Sequence, residues 1–206
     1  MSESKSSYWS SQRLFQSFPI DAKAASIEFV GTTFFFLLGL GGIQAATGEA
    51  LQSGSSIEHV LYIATSMGIS LLVTAWLFYR VTGGLFNPNI TLALFLVGVV
   101  GPVRFVLFCI AQMVGAIAAS AIVYGLTPGP LSVKCDSEPI WVRARLTVLC
   151  LCSTFLQQGI NGAQGVFIEM FITAALVIAV LMLAAEKHSS TPFAPVTFFI
   201  LRLGSN

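Results

Sequence analysis

A chain of 206 residues that is 55% apolar and only 9% charged carries more greasy surface than one soluble core of that size needs, and its mean hydropathy of +0.84 makes lipid the natural solvent. The net charge of +1 supplies no field to gather nucleic acid or an acidic substrate. Cys109, Cys135, Cys150 and Cys152 show no CxxC spacing, so neither a zinc site nor a disulfide framework is supported, and Cys150 and Cys152 read as inert packing.

In chain order, residues 1–26 are polar and Ser-rich and read as a cytoplasmic tail. They hold no short apolar core with a small-residue cleavage site, so the first membrane helix is expected to direct insertion. Hydropathy marks full spans at about 27–46, 60–79, 105–126 and 166–185, each near the ~20 residues that cross ~30 Å of hydrocarbon. A shorter apolar stretch, 90–100, follows Asn87-Pro88-Asn89 and reads as a half-helix entering from one side. Residues 146–156 make only half a span, and 193–203 do not complete one.

Cationic residues near span ends tend to stay cytoplasmic. The tail holds Lys5, Arg13 and Lys23 while residues 47–59 hold no Lys or Arg, so the N-terminus is predicted inside. Arg80, Arg104 and Lys187 then fall on the same side. Lys134, Arg143 and Arg145 fall outside, against the rule. The pattern divides the chain into the tail, a first repeat over 27–126 with three spans and a re-entrant half-helix at 87–100, an extracellular connection over 127–163, and a partial second repeat over 164–206.

A faint internal repeat supports that division. Ile27-Glu28-Phe29-Val30-Gly31-Thr32 matches Ile168-Glu169-Met170-Phe171-Ile172-Thr173 as I-E-x-x-x-T. Each copy puts a carboxylate in a hydrophobic span, where charge is costly and faces a bundle interior. Two halves in inverted orientation are a common plan for proteins with a path at mid-membrane.

The most informative stretch is Gly83-Gly84-Leu85-Phe86-Asn87-Pro88-Asn89-Ile90-Thr91. The glycines permit a tight extended backbone, Asn87 can cap a helix start, and Pro88 suits the first helical position. Irregular backbone at mid-membrane is tolerated only where it is buried or lines water, so the carbonyls of Gly83, Gly84, Leu85 and Phe86 are candidate acceptors along a pore. The positive end of the half-helix would face the same lumen and repel cations and protons. The Asn87 amide can donate to a passing water or hydroxyl.

This stretch resembles the first Asn-Pro-Ala box of the aquaporin (major intrinsic protein) family, with Asn89 where the usual box has Ala. Similarity runs over residues 26–126, including Ala111-Gln112-Met113-Val114-Gly115-Ala116, and again over 163–195. Phe86-Asn87-Pro88-Asn89 and Ala184-Ala185-Glu186-Lys187-His188 look most like fungal members. The resemblance implies an all-α membrane protein with an inverted repeat, incomplete in its second half. It implies that Glu28 and Glu169, with Gln112, hold the pore-lining loops, and that Met67 stands at the family's aromatic/arginine constriction in place of the Phe common in strict water channels. The family's fifth span, second box with its Arg, and sixth span have no counterpart here, and 140–158 look inserted. Intron read-through or an alternative transcript is the expected origin.

The plain readings stand beside these. Asn-Pro in a loop is ordinarily a turn, and Glu28 and Glu169 can simply cap or snorkel at helix ends. Asn89-Ile90-Thr91 matches a glycosylation acceptor but sits at membrane depth. His59 and His188 lie far apart in predicted loops, and Phe34-Phe35-Phe36 reads as packing. Gly115 with Ala111 or Ala119 gives small-residue spacing for close helix contact. No enzyme activity, cofactor or metal is expected, because Glu28, Glu169 and Asn87 lack a nucleophile or His partner. The expected function is a passive channel for water and small uncharged solutes such as glycerol, in the plasma or vacuolar membrane, as a homotetramer or a hetero-tetramer with full-length relatives. The alternative is a non-conducting short isoform that acts as a structural or regulatory partner of those relatives.

Overall fold

The computed structural model describes residues 11–46, 56–127 and 161–182. Five helices occupy them: α1 over Ser11–Ala46, α2 over Ser56–Thr82, α3 over Pro88–Val97, α4 over Pro102–Leu126 and α5 over Gly162–Val180. No strand occurs among the described residues. All except α3 are long and apolar enough to cross a membrane. The 10 residues of α3 rise only about 15 Å, half the hydrocarbon thickness. The segments 140–158 and 193–203, Cys135, Cys150, Cys152, His188 and the outside cations lie outside the described residues.

α3 stops at Val97 rather than residue 100, and the largest departure from the expected boundaries is at the first helix. The first helix begins at Ser11 rather than near residue 27, so most of the presumed tail is helical. The extension is held by tertiary contacts: Asp21 is buried and pairs with Arg104 of α4 at 2.8 Å, and Ala25 belongs to the core. Polar composition hid a helix whose anchor lies 83 residues away.

α1 sits between α2 and α4, and small residues set both distances. Against α2, a Cβ on Gly42 would lie 2.7 Å from Ser66 Cβ. The Ser70 hydroxyl donates to the Phe35 carbonyl at 2.5 Å across the same interface. Against α4, a Cβ on Gly115 would lie 2.9 Å from the Phe29 carbonyl oxygen. Thr33 donates to the Gly115 carbonyl at 3.4 Å, and Ala119 is wholly buried. In lipid, helices gain little from burying apolar surface, so this close backbone approach supplies the dispersion contacts that hold them.

α3 ends at Gly98, whose φ of 86° turns the chain in four residues into α4, with Pro102 at the first helical turn. The Phe95 and Phe105 rings stack across this turn at 4.9 Å. α5 leans mainly on α3, placing Val180 in the core with Leu176 beside it. Most of its remaining side chains are exposed and apolar, as a lipid-facing helix requires.

Candidate functional site

The site is built on the chain between α2 and α3. Gly83 and Gly84 take φ values of 93° and 61°, which glycine adopts without penalty. Gly84 also packs so tightly that a Cβ there would lie 3.3 Å from Ala75 Cα and 3.4 Å from its carbonyl oxygen. Phe86 follows with φ 47°, an unfavourable conformation for an aromatic residue that persists only where its surroundings over-determine it.

Those surroundings are specific. The Phe86 N–H donates to Glu28 Oε1 at 2.7 Å. Its ring lies between Phe35, stacked at 6.2 Å, and Phe78, edge-on at 6.1 Å. Gln112 Nε2 donates to the same Glu28 oxygen at 3.0 Å and to Thr91 Oγ1 at 3.0 Å. The Thr91 hydroxyl donates in turn to the Asn87 carbonyl at 2.9 Å. Glu28 and Thr91 show no exposure and Gln112 only 2%, so α1, α4 and α3 grip the loop through one buried polar chain.

Asn87 caps α3. Its Oδ1 accepts from the Asn89 N–H at 2.8 Å, and Pro88 occupies the first helical position. With the oxygen so engaged, the amide nitrogen keeps its capacity to donate, and Asn87 is only half-buried.

Asn87 borders a cavity of about 360 Å³ lined by residues of α1, α2, the loop, α3, α4 and α5. Of the residues expected to line the pore or hold its loops, Met67, Leu85, Phe86, Asn87, Pro88 and Gln112 line it. Gly83 and Gly84 do not; with Leu85 they border a separate space of about 20 Å³, because the glycine turn folds back against α2 at Ala75. Asn89 is exposed on the outer stripe of α3 with Leu92 and Leu96. Glu28 stands behind the wall.

No loop of the second half lies among the described residues for Glu169 to hold. Glu169 is exposed and makes no hydrogen bond among the described residues, whereas the loop at 83–87 is held by Glu28. Sequence reasoning read Phe35 and Phe36 only as packing and gave no lining role to Leu71, Ile90, Met113 and Leu176, which together supply most of the apolar wall. Helical spacing from Glu28 and Thr32 to Phe35 was the available signal for one of them. No cluster of His, Cys, Asp or Glu suited to a metal occurs among the described residues.

The family model of the major intrinsic proteins matches residues 16–204. The chain belongs to this family. An aquaporin of Laccaria bicolor is 62% identical over 187 residues, which make up 89% of this chain and 54% of that protein. Aquaporin-2 of Botryotinia fuckeliana is 47% identical over 174 residues, 82% of this chain and 41% of that protein. The chain therefore spans about half the length of these relatives. Membership and the four apolar helices make this major intrinsic protein an integral, multi-pass membrane protein with an aquaporin-like helical bundle.

Proposed function

We propose that this chain provides a passive path for water and for small uncharged solutes such as glycerol. The observation that carries the reading is Asn87, whose side-chain oxygen caps a half-helix and which borders a cavity inside the bundle. The positive end of α3 disfavours cations there. A hydroxyl meets the Asn87 amide while its carbon skeleton rests on Met67 and the phenylalanines, so a small polyol suits the wall as well as water does. No bond chemistry takes part.

The test is the swelling rate of proteoliposomes under an osmotic gradient. The wild-type chain raises it above that of empty vesicles, and Asn87→Asp brings it back toward the empty level by removing the amide donor and placing a carboxylate at membrane depth. Equal rates for wild type and variant would overturn the role of Asn87.

A second reading is favoured by the exposed carboxylate of Glu169 on a helix that leans mainly on α3. On this reading the chain conducts nothing alone and joins full-length relatives as a structural partner in a tetramer. Co-purification with a complete relative, without swelling activity of the chain alone, would favour it. Robust permeability of the isolated chain would remove it.

A further inference from the structure

We propose that Gly39 is a positioning residue for the conduit. It forms a notch on α1 that holds the Met67 thioether out of the lumen, so part of the bore is set from behind the wall. The inference rests on the channel reading of the cavity and goes beyond it by naming what fixes the aperture.

Met67 lines the cavity and is 5% exposed, while Gly39 does not border the cavity at all. A Cβ built on Gly39 would overlap Met67 Sδ, and it would lie 3.4 Å from Cε and 3.8 Å from Cγ. The whole thioether, not just its tip, lies across the notch. A methyl group there must displace either the helix or the side chain.

The helix is the harder of the two to move. One turn to one side, Ser66 is seated on Gly42 so closely that a Cβ on Gly42 would lie 2.7 Å from Ser66 Cβ. One turn to the other, Ser70 donates to the Phe35 carbonyl at 2.5 Å. These contacts bracket the pair formed by Gly39 and Met67 and pin α1 to α2. The thioether has three rotatable bonds and yields first. Phe35 and Phe86 pack against Met67 in the same core cluster, so the space open to it is the cavity.

A second notch shows the same design. A Cβ on Gly31, two turns away on the same face of α1, would overlap the Phe86 ring at Cε1 and lie 3.1 Å from Phe78 Cδ2. Phe86 is locked by its backbone, so substitution there would strain the loop itself. Gly39 is the position where bore and fold separate.

The experiment compares wild type, Gly39→Ala, Met67→Ala and the double variant in proteoliposomes, measuring water and glycerol side by side. Gly39→Ala is expected to lower glycerol flux several-fold and water flux less, and the double variant to regain both. In parallel, the protein carrying ¹³C-methyl methionine is observed by NMR in detergent, with Met67 assigned by its loss in Met67→Ala. The Met67 methyl resonance is expected to shift in Gly39→Ala and to be broadened more by a water-soluble paramagnetic chelate. An unmoved resonance overturns the proposal whether or not the vesicles conduct. Wild-type vesicles no leakier than empty ones overturn the channel reading instead, and the resonance alone then decides where the thioether goes.

Discussion

Glu28 has no exposed surface, yet its Oε1 accepts from both Phe86 N–H and Gln112 Nε2 while Oε2 makes no hydrogen bond among the described residues. The stabilisation it gives is therefore concentrated in one atom. Glu28→Ala strands two buried donors, at about 1–3 kcal/mol each, whereas Glu28→Gln keeps a carbonyl oxygen able to accept both. Thermal unfolding of the detergent-solubilised protein should show a large drop for Ala and a small one for Gln; equal drops would mean that the carboxylate's charge, not its acceptor, holds the loop. The sequence showed that a carboxylate in a span needs a partner. It did not show that one of its two partners is the backbone N–H of Phe86, held at an unfavourable φ, because neither periodicity nor composition registers one residue's dihedral angle.

Among the elements, those set by local chemistry were legible. Asn87 and Pro88 announce the start of α3; its expected end at residue 100 lies three residues beyond Val97, where the left-handed turn at Gly98 stops it. The early start of α1 was not legible, since it depends on Asp21 meeting Arg104 from another helix. That pair is asymmetric: the Asp21 side chain is 10% exposed and that of Arg104 40%. Arg104→Gln leaves a nearly buried carboxylate without its cation, while Asp21→Asn leaves an arginine that can turn to water or to the Phe108 ring, 5.9 Å away. The arginine variant should lose more stability. A double-mutant cycle should give a coupling of about 0.2–1 kcal/mol, the range of partly exposed pairs. A coupling near zero would mean that the N-terminal extension of α1 is held by Ala25 and its apolar neighbours alone.

At the scale of the molecule, the helices are unequally held among the described residues. α1 is pinned to α2 by Ser70 and its glycine notches and to α4 by Gly115 and the Glu28 chain, whereas α5 depends on Leu176, Val180 and their neighbours Val177 and Leu181. Residues 169, 173, 176 and 180 share one stripe at helical spacing, so Glu169 lies on the packed side of α5, about two turns beyond its packed part. The repeat between Glu28 and Glu169 reveals like positions on two helices; it cannot reveal which other element covers each. Lipid offers no strong drive to press apolar helices together, so α5 should detach more readily than α1. Hydrogen–deuterium exchange of the purified chain should accordingly show faster exchange for the amides of residues 162–171 than for residues 28–39. Equal protection in both stretches would mean that α5 is clamped by contacts beyond Leu176, Val177, Val180 and Leu181, and the Glu169 face would then be covered in the intact chain.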